Sequence, residues 1–559
     1  MKKRTLVLTK SSKDVYFQTS SNEVLFCYNF KQGTLTNKGA INLNNSKLLN
    51  DMALKEKSDY ANFIYSKNQL FLDQNLSFNN DLSLYFLSLF SNKRTEFFDT
   101  YTYYLNILIL KNILKETTFQ SIVCFGFSSK EVKQLSLNLG HMVKSKGKLK
   151  RSNFFNIADL RNLLFYGTTI VYLFSLKLFF KKNKTPQDKL FISRFPSHFD
   201  QDFKEKKYKG LINDHGTSLL LTLISDGFHQ NLTPFQFVKE LLYLRKKYKT
   251  ENFYVLDLYL SFGDVFRALT TYLKHKKKYQ RIKESTFNLK GVKLNIQLEE
   301  ELQLSSYQVP RILMYFNAYS SIFKELNPNE VVYSLHEFCS GRFVSYILNN
   351  YFPNILSSGF QHGPISQRKM LFALAKSEVN CSGSNLNFVP LPKQNYCEDS
   401  YSLELYRQYG YPNLQLLDRI ERLDYLDLIK RNEIQKNTCL VACGLHDAKI
   451  IVDYVLGHQL YNKKKLFIKF HPSTNNVQLI QKIKELDSSN LVVSTEPITN
   501  YLSFVDEVMV TYSSVGLEAL KLGIKTTVLI FHFVINESPL LDKLNQKNEL
   551  LVLNYINLN

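Results

Sequence analysis

The strongest constraint on the fold lies between residues 438 and 531, where five short apolar runs alternate with helical stretches. The runs are 438–443 (TCLVAC), 465–470 (KLFIKF), 491–494, 507–511 (EVMVT) and 526–531 (TTVLIF); helical patterns fill 446–459, 476–486, 498–504 and 513–522. Apolar runs without in–out alternation suit strands covered on both faces, and their repetition with helices builds a doubly wound parallel sheet. A looser version opens the chain, with strands at 5–9 and 121–127 (SIVCFGF), the second followed by a helical segment. The pattern predicts an α/β fold with two Rossmann-like doubly wound domains. They are 1–430, carrying a helical insertion at about 150–305, and 431–559.

Charge narrows the partners. Lys+Arg 71 against Asp+Glu 49 gives +22, which favours anionic ligands or surfaces. Lysine runs at 144–151 (KSKGKLKR) and 274–283 (KHKKKYQRIK) are by default solvated faces. Beside the apolar segment 162–180 (NLLFYGTTIVYLFSLKLFF) they point to an anionic membrane surface. That segment holds Asn162, Gly167 and Lys177, and two readings stay open: a buried core helix, or a helix lying in the membrane interface. Nucleic acid is not expected, because no zinc-finger spacing, RNP-type motif or long basic helix is present. The seven cysteines form no CxxC pair, and those in IVCFGF and CLVAC read as small core residues of a cytoplasmic protein. The N-terminal LVL run is too short for a signal peptide and reads as a first strand.

In an open parallel sheet, ligands bind where loops leave the C-terminal strand ends. Three such loops of the second domain carry polar groups: Cys443-Gly444-Leu445-His446, His471-Pro472-Ser473 and Tyr512-Ser513-Ser514-Val515-Gly516. Ser513 and Ser514 open a helix, where unpaired amides and the helix dipole attract phosphate, although capping is the commonest role of serine there. Gly516 would let the backbone approach a ligand, and Gly523 reads as the helix C-cap. His471, aimed by Pro472, could hydrogen-bond a nucleotide phosphate and, if protonated, stabilise it as a leaving group. Glu518 could reach a ribose hydroxyl.

The KFHPST and TYSSVGLEA segments resemble the paired His-Pro and Ser-Ser motifs of bacterial sialyltransferases and polysialyltransferases, with a similar pair in capsule Kdo transferases and CDP-glycerol glycerophosphotransferases. The resemblance implies a GT-B-like fold, its two domains facing across a cleft, and a cytidine-nucleotide donor held by His471, Ser513 and Ser514. A second segment, VVYS with His336-Glu337-Phe338, then Gly359-Phe360-Gln361-His362-Gly363, is similar to a surface-carbohydrate biosynthesis family. That family has a tryptophan where this chain has none.

Attack by an acceptor hydroxyl requires a proton acceptor. Glu337, directly after a strand, is preferred. Asp226, in Ile224-Ser225-Asp226-Gly227, resembles an acidic-acidic-glycine motif with serine in the first acidic place; His362 is the third candidate. Asp200-Gln201-Asp202 lacks the strand context of a metal site, so neither a metal nor another cofactor is expected. These readings predict a glycosyltransferase of surface polysaccharide synthesis, lipopolysaccharide or capsule. It would move a nonulosonic acid (sialic-, legionaminic- or Kdo-like) from a CMP-activated donor to a glycan or glycolipid. It would work peripherally at the inner face of the bacterial inner membrane. The alternatives are a CDP-alcohol-dependent polyol-phosphate transferase and a non-catalytic basic membrane-binding protein.

Overall fold

A computed structural model describes the chain except residues 1, 12, 19–21, 33–34, 38, 147–154, 183–185, 187, 195–197, 200–204, 206–207, 209–217, 223–238, 240–241, 243–252, 335, 362, 380–383, 419–420, 432, 472–473, 475, 544–548 and 557–559. Its C-terminal sheet has six parallel strands. Their spatial order is Leu491–Val493, Lys465–Lys469, Gln435–Ala442, Val505–Val510, Lys525–Phe531, Leu551–Ile556. Numbered along the chain this is 3-2-1-4-5-6, the doubly wound order. Side chains alternate between two cores: Leu440, Val508, Val510 and Ile530 pack on one face, Cys439, Val441, Met509 and Leu529 on the other. That two-sided burial is why the runs carry so little polarity. The sixth strand, Leu551–Ile556, lies beyond the sequence pattern, which ended at 531; it is a half-buried edge paired on one side.

The first half contains two more parallel sheets. One has the order Ile41–Asn42, Glu23–Asn29, Lys3–Thr9, Ser121–Phe125, Val143–Ser145. The other runs Phe253–Val255, Ser218–Thr222, Lys189–Arg194, Glu330–Ser334, Leu356–Phe360, Gln394–Cys397, Leu414–Leu416. Both repeat the 3-2-1-4-5 winding, and a single core containing Leu6, Tyr104, Leu190, Val331 and Tyr406 unites them. The stretch 150–305, read as a helical insertion, therefore also supplies three central-sheet strands between its long helices Phe155–Phe179 and Phe262–Lys283. All six described cysteines are buried and free, as expected for small core residues.

The C-terminal sheet is fastened to the first half through Asp542. Its carboxylate pairs with Arg368 at 2.8 Å, with the side chains 0% and 2% exposed, and accepts the Gln367 amide (2.8 Å) and the Tyr401 hydroxyl (2.6 Å). The Asn536 amide donates to Asn50 Oδ1 at 2.8 Å, and Gln32 donates to Asp453 at 2.8 Å. Beside these contacts the first and last sheets face each other across a cleft, a GT-B-like arrangement.

Candidate functional site

In the order 3-2-1-4-5-6 the winding reverses between Gln435–Ala442 and Val505–Val510, and the loops leaving these strands part to form a crevice. Asp447 ties the two loops together. It is buried, accepts the Gly444 amide at 2.5 Å, and accepts the Thr511 hydroxyl from the other loop. Burial raises its pKa despite these bonds. A Cβ on Gly444 would stand 3.2 Å from the Asp447 carboxylate, so this glycine serves the loop tie.

Outside that tie opens a cavity of about 340 Å³. His446, Tyr512, Phe533 and Glu537 line it from the last sheet; Phe30, Lys31, Glu96 and Asp99 line it from the first half. A second cavity of about 330 Å³ adjoins it through segment 94–99 and is lined by Arg94, Phe97, Phe98, Glu300, Phe338 and Ser340. Arg94 lies over the rings of Phe97 (3.9 Å) and Phe338 (4.8 Å), and the Phe97 ring meets His446 edge-on at 5.3 Å. The space thus combines aromatic faces with carboxyls, an imidazole and cations. Such groups can stack a ring, contact a phosphate and exchange a proton.

Glu537 is the most perturbed carboxyl lining this cavity. The Thr95 hydroxyl donates to it across the cleft, while enclosure and nearby Glu96 push its carboxyl up to about 8. Like charges crowded together resist joint ionisation, and a carboxyl titrating near neutrality can give and take a proton. Burial lowers the His446 pKa, disfavouring the charged imidazolium.

The sequence-predicted residues divide into several places. Ser513 and Ser514 follow Tyr512 beside the cavity, before the helix Val515–Lys521. Ser514 makes no side-chain cap; its hydroxyl donates to Glu518 at 3.3 Å. Glu518 is buried and also accepts from Tyr425, so its carboxylate is engaged inside the domain rather than turned to a ribose. Gly516 has a packing role: a Cβ there would come within 2.8 Å of Leu540 Cδ1 and 2.9 Å of Val510 Cγ2. Gly523, with φ +71°, ends the helix as read. His471 is half-buried at the end of the neighbouring strand Lys465–Lys469, and its carbonyl accepts the Thr474 hydroxyl (2.7 Å). One strand separates it from the Ser513 loop, a span of about 10 Å at ordinary strand spacing. Pro472, Asp226 and His362 lie outside the described residues, as do Asp200, Gln201 and Asp202.

Glu337 lies inside the protein instead of on the cleft wall, 1% exposed and lining neither cavity. Its carboxylate is 3.5 Å from His336 Nδ1, and burial lowers the His336 pKa. The two pieces of its motif do meet: a Cβ on Gly359 would come within 2.8 Å of the His336 ring, which also packs on Tyr406 and Tyr411. Gln361 is fully engaged, donating to the Gly363 carbonyl and the Ser402 hydroxyl and accepting the Glu398 amide. Sequence reasoning missed Asp447, Glu96 and Glu537. Asp447 stands just before a helix, where an aspartate is an ordinary cap, and Glu537 sits in an irregular loop with no periodic signal.

Among the described residues, no cluster of three or more His, Cys, Asp or Glu could hold a metal ion. The sequence matches no family model and no curated protein. Solved structures similar to it include UDP-GlcNAc 2-epimerase from Methanocaldococcus jannaschii, at 8% identity over 65% of this chain and 88% of that one, with a TM-score of 0.34. The wall teichoic acid polymerase TagF, soaked with CDPG, matches at 11% identity over 67% and 79%, with a TM-score of 0.29. The epimerase from Neisseria meningitidis bound to UDP-GlcNAc matches at 11% identity over 61% and 81%, with a TM-score of 0.31.

Proposed function

We propose that this chain is a glycosyltransferase that binds a nucleotide-activated sugar, CMP-linked and of the nonulosonic-acid class, in the cleft between its first and last sheets. The observation that carries the reading is the cavity of about 340 Å³ at the point where the last sheet's winding reverses. In this reading Ser513 and Ser514 hold the phosphate, Tyr512 and Phe533 flank the donor, and His471 reaches toward the phosphate from the strand end two positions away in the sheet. The acceptor glycan enters from the side of the first half, past Arg94 and Phe97.

The proton acceptor in this proposal is Glu537, not Glu337. Glu537 lines the cavity, whereas Glu337 is enclosed with His336 and serves to position the wall in front of it. Transfer then needs no metal: amide and hydroxyl donors around the phosphate carry the leaving-group charge. The test is CMP release from a CMP-activated sugar, followed with and without a glycan acceptor. Acceptor-dependent release that disappears in Ser513→Ala with Ser514→Ala supports the proposal. Release of an alcohol phosphate from a CDP-alcohol instead would replace the donor class. Absence of turnover with both donors would refute it.

A further inference from the structure

The helix Phe155–Phe179 is built inside out. Its protein-facing side carries polar groups: Asn162 accepts from Arg311 (2.7 Å), Tyr172 donates to Asp257 (3.1 Å), and Thr169 is buried alongside Leu173 and Leu176. Its solvent side is apolar. Leu160, Leu164, Phe174 and Leu178 are 58%, 58%, 64% and 68% exposed, with Leu163 and Val171 between them. At 100° per residue these positions fall on one stripe, running about 27 Å at 1.5 Å per residue. An ordinary surface helix shows the reverse pattern, and a contiguous exposed apolar face marks an interaction surface.

The neighbouring helix Phe262–Lys283 extends the patch. Phe262, Phe266 and Leu273 are exposed on one of its faces, and Lys177 lies 5.2 Å from the Phe262 ring. Charge sits at both ends of the stripe. Lys276 pairs with Asp159 next to Leu160, with Lys274 and Lys277 exposed beside it, and Lys181 and Lys182 are exposed just beyond Leu178. An apolar stripe bordered by lysines complements the acyl edge and the anionic headgroups of a bilayer. The hydrogen bonds of the inner face, together with Lys177 to the Leu260 carbonyl (2.5 Å), fix the helix along the protein body.

We infer that this two-helix face docks on an anionic lipid bilayer, with helix Phe155–Phe179 lying in the plane of the interface rather than crossing it. The binding stands independently of the enzymatic reading.

The test uses the full chain and vesicles of pure phosphatidylcholine or of phosphatidylcholine with phosphatidylglycerol. Sedimentation should show binding to the anionic vesicles alone, weakening several-fold between about 0.05 and 0.5 M NaCl as screening rises. Replacing Leu160, Leu164, Phe174 and Leu178 together by serine should reduce binding about tenfold or more. Lys274→Glu with Lys277→Glu should erase the preference for anionic lipid. Because the chain has no tryptophan, Phe174→Trp supplies a single emitter that reports without disrupting the fold. Its fluorescence should shift to the blue on anionic vesicles. Unshifted emission, unchanged binding of the serine variant, or wild-type protein left in the supernatant would overturn the proposal. So would an association resistant to both salt and carbonate, which indicates a span, or a dimer in light scattering that the serine variant abolishes without any vesicle binding.

Discussion

Removing the carboxyl of Glu537 should change how stability depends on pH. In the folded protein this group titrates at about 8, against an ordinary value of 4.5. The folded state therefore holds the proton more tightly than the unfolded state. The sign follows: stability is greatest below about pH 4.5 and is lost as pH rises toward 8. Each pH unit between the two values is worth about 1.4 kcal/mol, which sets a ceiling of about 5 kcal/mol. Exposure to the cavity reduces this to about 2–3 kcal/mol. Glu537→Gln retains a group able to hydrogen-bond Thr95 but cannot ionise. Urea unfolding of both proteins at pH 5, 6, 7 and 8 gives the difference directly. The variant should gain about 2–3 kcal/mol on the wild type across this range. The difference is needed because Glu301, also pushed up to about 8 by burial, titrates in the same window in both proteins. Parallel pH curves would refute the assignment of Glu537 as the strained carboxyl of the cleft.

Three further outcomes follow from the same geometry. Asp542→Ala strands Arg368 in the contact between the two halves, and denaturant unfolding should show a loss of about 3–5 kcal/mol; a loss below 1 kcal/mol would show that the contact is not a fastening. Gly516→Ala presses on Leu540 and Val510 and should cost about 1–3 kcal/mol in the same assay while leaving nucleotide affinity within twofold, since the glycine serves packing. Glu537→Gln should lower kcat by about 10²–10⁴-fold with KM for the donor little changed, whereas Glu337→Gln should act through stability; the reverse pattern of kcat would return the base to Glu337.

The C-terminal sheet was legible because its central strands are buried on both faces, so Cys439 to Ala442 or Val508 to Val510 read as unbroken apolar runs. Leu551–Ile556 escaped because its one-sided edge carries Asn554 and Tyr555, and nothing in its pattern separates it from a tail. The second sheet of the first half was legible only in part, in the apolar runs at 189–193, 331–334 and 354–360, for another reason. Its strands are scattered through 189–416, and the basic helix Phe262–Lys283 dominates the composition between them. Of the site, the loops were legible and most of the roles were not. Gly516 and Glu518 carry the residue types of a ligand site yet meet Leu540, Val510 and Tyr425, contacts that only tertiary packing reveals. Glu337 follows a strand, as a rim residue does, but the loop turns it inward toward His336. Glu537 had no local signal, since its character comes from Thr95 and Glu96, more than 400 positions away in sequence. The segment 162–180 forms one helix with two faces: Leu173 and Leu176 are core, while Phe174 and Leu178 face outward.

The central claim, a nucleotide donor in the cleft, is tested most directly by thermal unfolding of the wild-type protein in the presence of CMP, CDP, UMP, UDP, AMP and GDP. A ligand present at about 100 times its Kd stabilises the folded state by about 2.7 kcal/mol, which for a chain of this size shifts Tm by a few degrees. The account predicts such a shift with CMP, smaller shifts with the other nucleotides, and its loss in the Ser513→Ala, Ser514→Ala double variant. A flat Tm across all six nucleotides would contradict it.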